Sequence, residues 1–308
     1  MPFEVFAWVL LATLVGVLLG LDLFVFHREH RRIGVREAAS WVAVWVTLGL
    51  AFAGFVFAWR GGEAGGAYLA GYLIEYSLSM DNVFVFAVLF AYFAVPAEYQ
   101  HRLLFWGVLG AIVFRLAFIL AGTSLLEAFH PLIYLFGAIL VATGLRLATT
   151  REQAVKPERN PLLRVLRRFI PLTDTYHGPA FTIRREGRLM GTPLLAALIA
   201  IESSDLLFAV DSVPAVLAIT TDPFIVFSSN AFAILGLRAL YFLLADLVHR
   251  FVYLKVGLGL LLVLAGAKML ATDLVSLPIW VSLAVIVGVL GAAIAASLWA
   301  TRGHAREA

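Results

Sequence analysis

The chain has 308 residues, of which 62% are hydrophobic and 14% are charged, and its mean hydropathy is +0.94. Soluble domains usually carry about 25% charged residues, so this composition indicates a membrane protein. The net charge of +3 is small, and we expect no nucleic-acid partner. The chain contains no cysteine, which excludes disulfides, thiolate metal sites, iron–sulfur clusters and cysteine nucleophiles.

Nine apolar runs of about 20 residues predict an all-α membrane protein with about nine transmembrane helices. The first run is followed, not preceded, by basic residues. This charge order is wrong for a cleaved signal peptide, so we expect a membrane helix there. The predicted spans are residues 4–26, 39–59, 67–94, 102–122, 125–148, 192–220, 224–247, 252–271 and 277–300.

The spans divide the chain into five parts. The long polar segment between the fifth and sixth spans is predicted to be a cytoplasmic linker that contacts anionic lipid. Its LLRVLRRF stretch is a candidate for a short amphipathic helix at the membrane surface. The parts are two N-terminal transmembrane helices (1–66), a first three-helix repeat (67–148), the basic linker (149–191), a second three-helix repeat (192–271), and a C-terminal transmembrane helix with a cytoplasmic tail (272–308).

Basic residues in the loops predict the orientation. One set of alternate loops contains eighteen Lys and Arg residues, whereas the opposite set contains Arg60 alone. Cytoplasmic loops carry the excess of positive charge. We therefore expect a multi-pass membrane protein with its N-terminus outside and its C-terminus in the cytoplasm.

Two parts of the chain match each other. Each matched unit spans three helices, an odd number, so the second unit is expected to be inverted in the membrane. Inverted repeats place a shared binding site near the midplane. The matched positions, at offsets of 124, 123 and 122 residues, are Asp81 with Asp205, Arg115 with Arg238, and Gly144 with Gly266.

Acidic residues lie inside the first helix of each unit, in the stretches EYSLSMDNVFVF and IESSDLLFAVDSVP. An ionised side chain at this depth costs several kcal/mol unless it is compensated. The acids are therefore expected to converge on a polar site, and their oxygens suit a hard divalent cation such as Mg²⁺, Ca²⁺ or Mn²⁺. The five predicted metal ligands are Glu75, Asp81, Glu202, Asp205 and Asp211.

The spacing of the acids leaves two structural interpretations open. Glu75 and Asp81 are about 240° apart on a helix, as are Asp205 and Asp211. Local unwinding near Pro214 and the serine-rich stretches would let the acids converge and would expose carbonyl oxygens. Alternatively, each acid is buried against a different neighbouring helix.

Other polar residues complete the predicted site. Desolvation and neighbouring like charges favour proton binding by some of the acids, and exchange of a proton for a cation is the basis of antiport. The arginines either balance the acidic charge or pack between helices by hydrogen bonds. Candidate neutral ligands are Asn82, Ser203, Ser204 and Asn230, and the candidate charge-balancing residues are Arg115 and Arg238.

Two further acids are expected to have other roles. Asp22 is predicted to face water or to pair with Arg28 near the cytoplasmic end of the first helix. Asp222 precedes Pro223, which is typical of a turn followed by a helix start.

The chain resembles the TerC family of integral membrane proteins over nearly its whole length. The densest matches are GYLIEYSLSMDNVFVF, FAVPAEYQHRLLFWGVLGA and the long segment that begins IESSDLLFAVDSVPAVLAITTDPF. The resemblance implies a fold related to the LysE-type exporters and manganese export across the plasma membrane. The five acids stand at the family's acidic motif positions. Tyr76 departs from the lysine that is common in the family, and Met80 replaces a branched aliphatic residue.

We therefore predict a manganese exporter rather than an enzyme, with Mn²⁺ as the transported substrate, protons as the exchanged ion and no prosthetic group. The expected partners are the divalent metal ion and the lipid bilayer. One alternative is export of another cation such as Ca²⁺. A second is a structural subunit of a membrane stress-response complex. An intramembrane aspartyl protease would pair carboxylates to activate water, but the chain lacks a GxGD motif.

Overall fold

The computed structural model describes residues 2–26, 34–149, 161–185, 187–244, 253–274 and 277–301, and most of them are helical. In chain order the elements are α1 (Pro2–Phe26), α2 (Val35–Tyr92), α3 (Ala97–Ala128), α4 (Leu132–Thr149), α5 (Pro161–Phe169), β1 (Thr182–Arg185), β2 (Arg188–Gly191), α6 (Pro193–Leu217), α7 (Pro223–Leu235), α8 (Leu237–Leu244), α9 (Leu254–Leu270) and α10 (Ile279–Thr301).

Six helices in the described ranges are long and apolar enough to cross a membrane. The bent pair of α7 and α8, with 41° between its helices, makes a seventh if it is one span. The prediction of an all-α membrane protein is thus confirmed. Two predicted spans lie within the 58 residues of α2, and α9 has only 17 residues. Counting α2 twice and adding α9 gives nine spans, a number that stays a prediction.

A backbone break divides α2. Gly61 has φ +86° and ψ −179°, inside an otherwise helical stretch. A φ of this sign is accessible to glycine at little cost, so Gly61 lets the chain turn between two apolar helices. The adjacent Arg60 Nη1 lies 2.5 Å from Asp222 Oδ2, and its guanidinium lies 5.0 Å from the centre of the Phe224 ring. This pair connects the break to the start of α7.

Asp222 caps α7, as the sequence predicted. Its Oδ1 accepts hydrogen bonds from the backbone N–H groups of Phe224 (2.9 Å) and Ile225 (3.3 Å). Such a cap satisfies donors that the first turn of a helix leaves without intrahelical partners. Every residue from Phe224 to Leu235 is buried. Because α7 contacts α1, α2 and α3, it is a central helix that its neighbours shield from lipid.

Helices α4 and α9 pack closely through glycines. A Cβ atom at Gly144 would lie 2.5 Å from the carbonyl oxygen of Gly259, and one at Gly266 would lie 2.6 Å from that of Gly137. Both are shorter than a normal non-bonded contact. Small residues allow this close approach of membrane helices, where the gain comes from van der Waals packing rather than from exclusion of water.

The linker contains more structure than the sequence predicted. The helix expected at LLRVLRRF is confirmed as α5. The antiparallel hairpin of β1 and β2, paired from Thr182↔Gly191 to Arg185↔Arg188, was not predicted because each strand has only four residues. The Tyr176 hydroxyl donates to the Phe93 carbonyl oxygen at 2.6 Å, which fixes the linker to the end of α2. Residues 150–160 lie outside the described ranges.

Substitution of Gly144 by alanine should destabilise the protein, because the new methyl group would force α4 away from α9. Overpacking of this kind costs about 1–3 kcal/mol. The measurement is thermal unfolding of purified protein in detergent. Gly288→Ala is the matched control, since a Cβ at Gly288 meets nothing within 4 Å. Equal melting temperatures for the two variants would contradict the packing described here.

Candidate functional site

The side chain of Arg115 on α3 lies at the centre of a buried charge cluster. It is 1% exposed and forms ion pairs with Glu75 on α2 and Asp205 on α6, which are 0% and 2% exposed. The Nη2–Asp205 Oδ1 distance is 3.4 Å. Its Nη1 donates to Asn230 Oδ1 on α7 at 3.0 Å and to Ser212 Oγ on α6 at 3.1 Å. One guanidinium therefore connects four helices, and we call these five residues the Arg115 cluster.

The cluster compensates charge that would otherwise be unstable inside a membrane. A buried carboxylate or guanidinium requires a charged partner and hydrogen bonds for its remaining atoms. The planar guanidinium presents five donors and can bind several acceptors at once. Removing Arg115 would leave Glu75 and Asp205 as like charges in a buried site.

Glu202 lies one helical turn before Asp205 on α6, and its carboxylate stands directly over Gly110 of α3. A side chain at Gly110 would occupy the space of this carboxylate. Glu202 Oε2 and Asp205 Oδ2 are both buried, and neither receives a hydrogen bond from the described residues. Buried acceptor oxygens without donors are costly in an apolar environment. These two oxygens can therefore take a proton or coordinate a cation.

A cavity of about 490 Å³, lined by both apolar and polar side chains, adjoins the cluster. Arg115 and Ser212 belong to both. The Thr143 hydroxyl of α4 donates to Asp211 Oδ1 at 3.0 Å. The cavity is lined by side chains of α2, α3, α4, α6 and α9, and its other polar residues are Asn82, Arg146 and Ser204.

The structure brings some of the predicted site residues together. Glu75 and Asp205 share Arg115, Glu202 is their neighbour, and Asp211 lies on the cavity wall with the predicted neutral residues Asn82 and Ser204. Asn230 contacts Arg115. Ser203 donates to the Ala200 carbonyl oxygen of its own helix at 2.9 Å. The side chain of Asp81 lies outside the described part of the structure.

The unwinding suggested by the spacing of the acids is not observed. The only non-helical φ/ψ values inside α2 belong to Gly61, far from Glu75, and α6 is helical across Asp205 and Asp211 with Pro214 included. Of the four predicted ligands whose side chains are described, Glu75, Glu202 and Asp205 face α3, and Asp211 faces α4. Burial of each acid against a different helix, the second interpretation given above, is therefore not observed either. Among the described residues, no three His, Cys, Asp or Glu side chains are grouped to hold a metal ion. Convergence of all five acids stays a prediction.

Arg238 has a different partner from the one that its repeat position suggested. It forms an ion pair with Asp22 on α1, and both side chains are almost fully buried. The expectation that Asp22 faces water was therefore wrong, because α1 packs against the bundle and brings Asp22 to Arg238. Arg28 lies outside the described residues, so its expected pair with Asp22 stays a prediction. Whether Arg238 also balances charge at the predicted metal site stays a prediction.

Thr143 and Arg146 are site residues that the sequence analysis missed. A threonine in an apolar helix does not indicate a functional site, since its hydroxyl can donate a hydrogen bond to a backbone carbonyl of the same helix. Arg146 did give a signal, because a charged residue inside an apolar span is rare. Nothing in the sequence indicated that it lines a cavity together with Asp211.

The apolar helices and the buried charge cluster with its adjoining cavity define a multi-pass α-helical membrane protein with an ionisable site inside the bundle. Residues 60–305 match the model of the integral membrane protein TerC family. The chain belongs to this family.

Curated relatives cover nearly the whole chain. A Myxococcus xanthus protein named "Uncharacterized membrane protein STKORF319" is 50% identical over 96% of this chain and 92% of its own length. The Escherichia coli K12 protein named "Putative membrane-bound redox modulator Alx" is 44% identical over 97% of this chain and 96% of its own. A Rickettsia felis membrane protein is 36% identical over 95% and 97%. No solved structure matches the chain.

Replacement of Arg115 by glutamine should strongly destabilise the protein. Removal of one partner from a buried ion pair costs about 3–5 kcal/mol, because the remaining charge has no compensation. The double variant Glu75→Gln/Arg115→Gln should recover part of this loss. Thermal unfolding of the single and double variants measures the coupling. The control is Arg184→Gln, at an exposed position of β1. Wild-type stability of Arg115→Gln would contradict a structural role for the ion pairs.

Proposed function

We propose that this protein exports a divalent metal ion, Mn²⁺ foremost, across the plasma membrane in exchange for protons. The observation that supports the proposal most strongly is the cavity beside the Arg115 cluster, with Asp211 on its wall. Charged residues inside membrane segments are costly and commonly mark ion pathways. A structural role alone would need paired charges but no cavity lined by Asp211.

The chemistry of the cavity suits a hard cation. Besides apolar side chains and the guanidinium groups of Arg115 and Arg146, its described wall offers oxygen ligands and no histidine or methionine. These carboxylate, amide and hydroxyl oxygens come from Asp211, Asn82, Thr143, Ser204 and Ser212. Oxygen ligands of this kind favour Mg²⁺, Ca²⁺ and Mn²⁺ over softer metals. We select Mn²⁺ among these ions because the resemblance to the TerC family implies manganese export.

The ion pairs divide the described acidic site residues into two groups. Arg115 forms ion pairs with Glu75 and Asp205. Glu202 and Asp211 have no ion pair within 4.0 Å among the described residues. We assign to Glu202 and Asp211 the first contact with an entering cation or proton. An ion that then reaches Glu75 and Asp205 replaces the guanidinium as their counter-charge, so Arg115 serves as an internal cation when the site is empty.

The glycine contacts between α4 and α9 support the proposed inverted repeat. An offset of 122 residues relates Gly137 to Gly259 and Gly144 to Gly266. If each glycine is replaced by the equivalent glycine of the other repeat, the Gly137–Gly266 contact becomes the Gly259–Gly144 contact. The two contacts are therefore equivalent. This is the relation expected of a two-fold axis between inverted units. Nine spans, an external N-terminus and a cytoplasmic C-terminus belong to the same proposal.

Two other functions give different experimental outcomes. An exporter of Ca²⁺ would transport Ca²⁺ in preference to Mn²⁺ when both ions are present. A structural subunit of a membrane stress-response complex would move neither ion. The name of the Escherichia coli relative suggests a redox role. Thiol-based redox chemistry requires cysteine, and this chain has none.

Loss of a carboxylate from the site should abolish export. Asp81→Asn and Asp211→Asn each remove a charge with little change in shape. Mn²⁺ transport into everted membrane vesicles should fall by about tenfold or more. A tenfold loss corresponds to about 1.4 kcal/mol of binding free energy. Cells that depend on the protein should accumulate manganese. Asp174→Asn, in an exposed turn, is the control. Transport equal to wild type in both site variants, at equal protein levels, would rule out the assignment.

Export should depend on pH because protons and Mn²⁺ compete for the same carboxylate oxygens. Metal affinity is expected to fall as the pH is lowered from about 8 to about 6, where a desolvated carboxyl group takes up its proton. Reconstituted protein with Mn²⁺ on one side and an imposed pH gradient tests the coupling. Transport that ignores the gradient, together with pH-independent binding, would favour uniport or a different coupling ion.

A further inference from the structure

Helix α5 presents a stripe of three exposed apolar side chains. Leu162, Val165 and Phe169 are 42%, 51% and 77% exposed. Their spacing of three and four residues places them within about 60° of one another on the helix. A phenylalanine with most of its surface exposed indicates a contact with another apolar phase.

A second face of the same helix attaches it to the protein. Leu163 is buried and Leu166 is partly buried in the main core, and α5 packs against α6. These residues lie beside the exposed stripe and not on it. The orientation of α5 is therefore set by the protein, and the exposed stripe points away from the core.

Arginines border the exposed stripe. Arg164, Arg167 and Arg168 occupy the third face of α5 and are exposed. The hairpin, which is joined to the segment after α5 by a hydrogen bond from Gly191 N–H to the Pro171 carbonyl oxygen (2.9 Å), adds further exposed arginines. Residues 161–192 contain six arginines and two acids. This surface is strongly positive and next to an apolar stripe.

The position of α5 in the chain indicates what covers it. The chain leaves the membrane helix α4 at Thr149 and enters the membrane helix α6 at Pro193, so α5 and the hairpin are held close to a bilayer surface. A helix with an apolar stripe and bordering arginines binds at the boundary between headgroups and acyl chains, and anionic lipid strengthens this binding.

We propose that α5 is a membrane-surface anchor, which inserts Leu162, Val165 and Phe169 among the lipids and binds anionic headgroups through Arg164, Arg167 and Arg168. Through Leu163 and Leu166 the anchor holds the start of α6 at the membrane surface. Because α6 carries Glu202, Asp205 and Asp211, the anchor connects the lipid composition to the helix with most of the acids. The anchor is independent of the metal proposed above.

The experiment uses the natural absence of cysteine. Phe169→Cys provides a single site for a nitroxide label in the full-length protein, reconstituted in nanodiscs of phosphatidylcholine alone or mixed with phosphatidylglycerol. Oxygen, which enters the lipid, and a water-soluble nickel chelate report the depth of the label. We expect preferential collision with oxygen in the phosphatidylglycerol discs, and a shift towards the nickel chelate when Arg164, Arg167 and Arg168 are replaced by glutamine.

Two results would overturn the proposal. A label that is equally accessible to the nickel chelate in both nanodiscs would show that the stripe stays in water, and a protein partner would then be the better explanation. A label that is equally deep in both nanodiscs, and unchanged by the arginine replacements, would exclude a role for anionic headgroups. The control label at Asp174, in the exposed turn after α5, should respond to neither change.

Discussion

The buried guanidinium of Arg115 imposes the main constraint on this structure. Its side chain is almost fully buried, so its charge must be matched by Glu75 and Asp205 from two other helices. Ser212 and Asn230 are additional acceptors. Helices α2, α3, α6 and α7 must therefore meet at one place. The complete burial of α7 follows from its place between these helices. The same requirement keeps polar groups next to the cavity that Asp211 lines.

The residues of this cluster were predictable, but their pairing was not. Glu75, Asp205 and Arg115 are evident in the sequence because charge inside an apolar run is rare. Their partners depend on how the helices pack, which hydropathy does not encode. Arg238 illustrates this point, since its repeat mate Arg115 contacts Glu75 and Asp205 whereas Arg238 contacts Asp22 on α1, outside the repeats. Thr143 was not predicted because a hydroxyl group has little effect on hydropathy.

Straight helices distribute the acids over several faces of the bundle. Asp211 is six positions after Asp205, so the two point in different directions on α6. Asp205 faces Arg115, and Asp211 faces Thr143. The described acids consequently form neighbouring sites rather than one chelating group. For a transporter this arrangement offers successive binding positions, which an ion can enter and leave without a single very tight complex. The proposed exchange with protons fits such weak, separate positions.

The contact between α4 and α9 restricts how this bundle can move. Each helix has two glycines where the backbone of the other helix approaches closely. They are Gly137 and Gly144 on α4, and Gly259 and Gly266 on α9. Sliding by even one residue would drive a side chain against a carbonyl oxygen. We therefore expect the two helices to move as one unit. If the proposed transport opens the site to one side of the membrane at a time, the other helices would have to rotate around this pair.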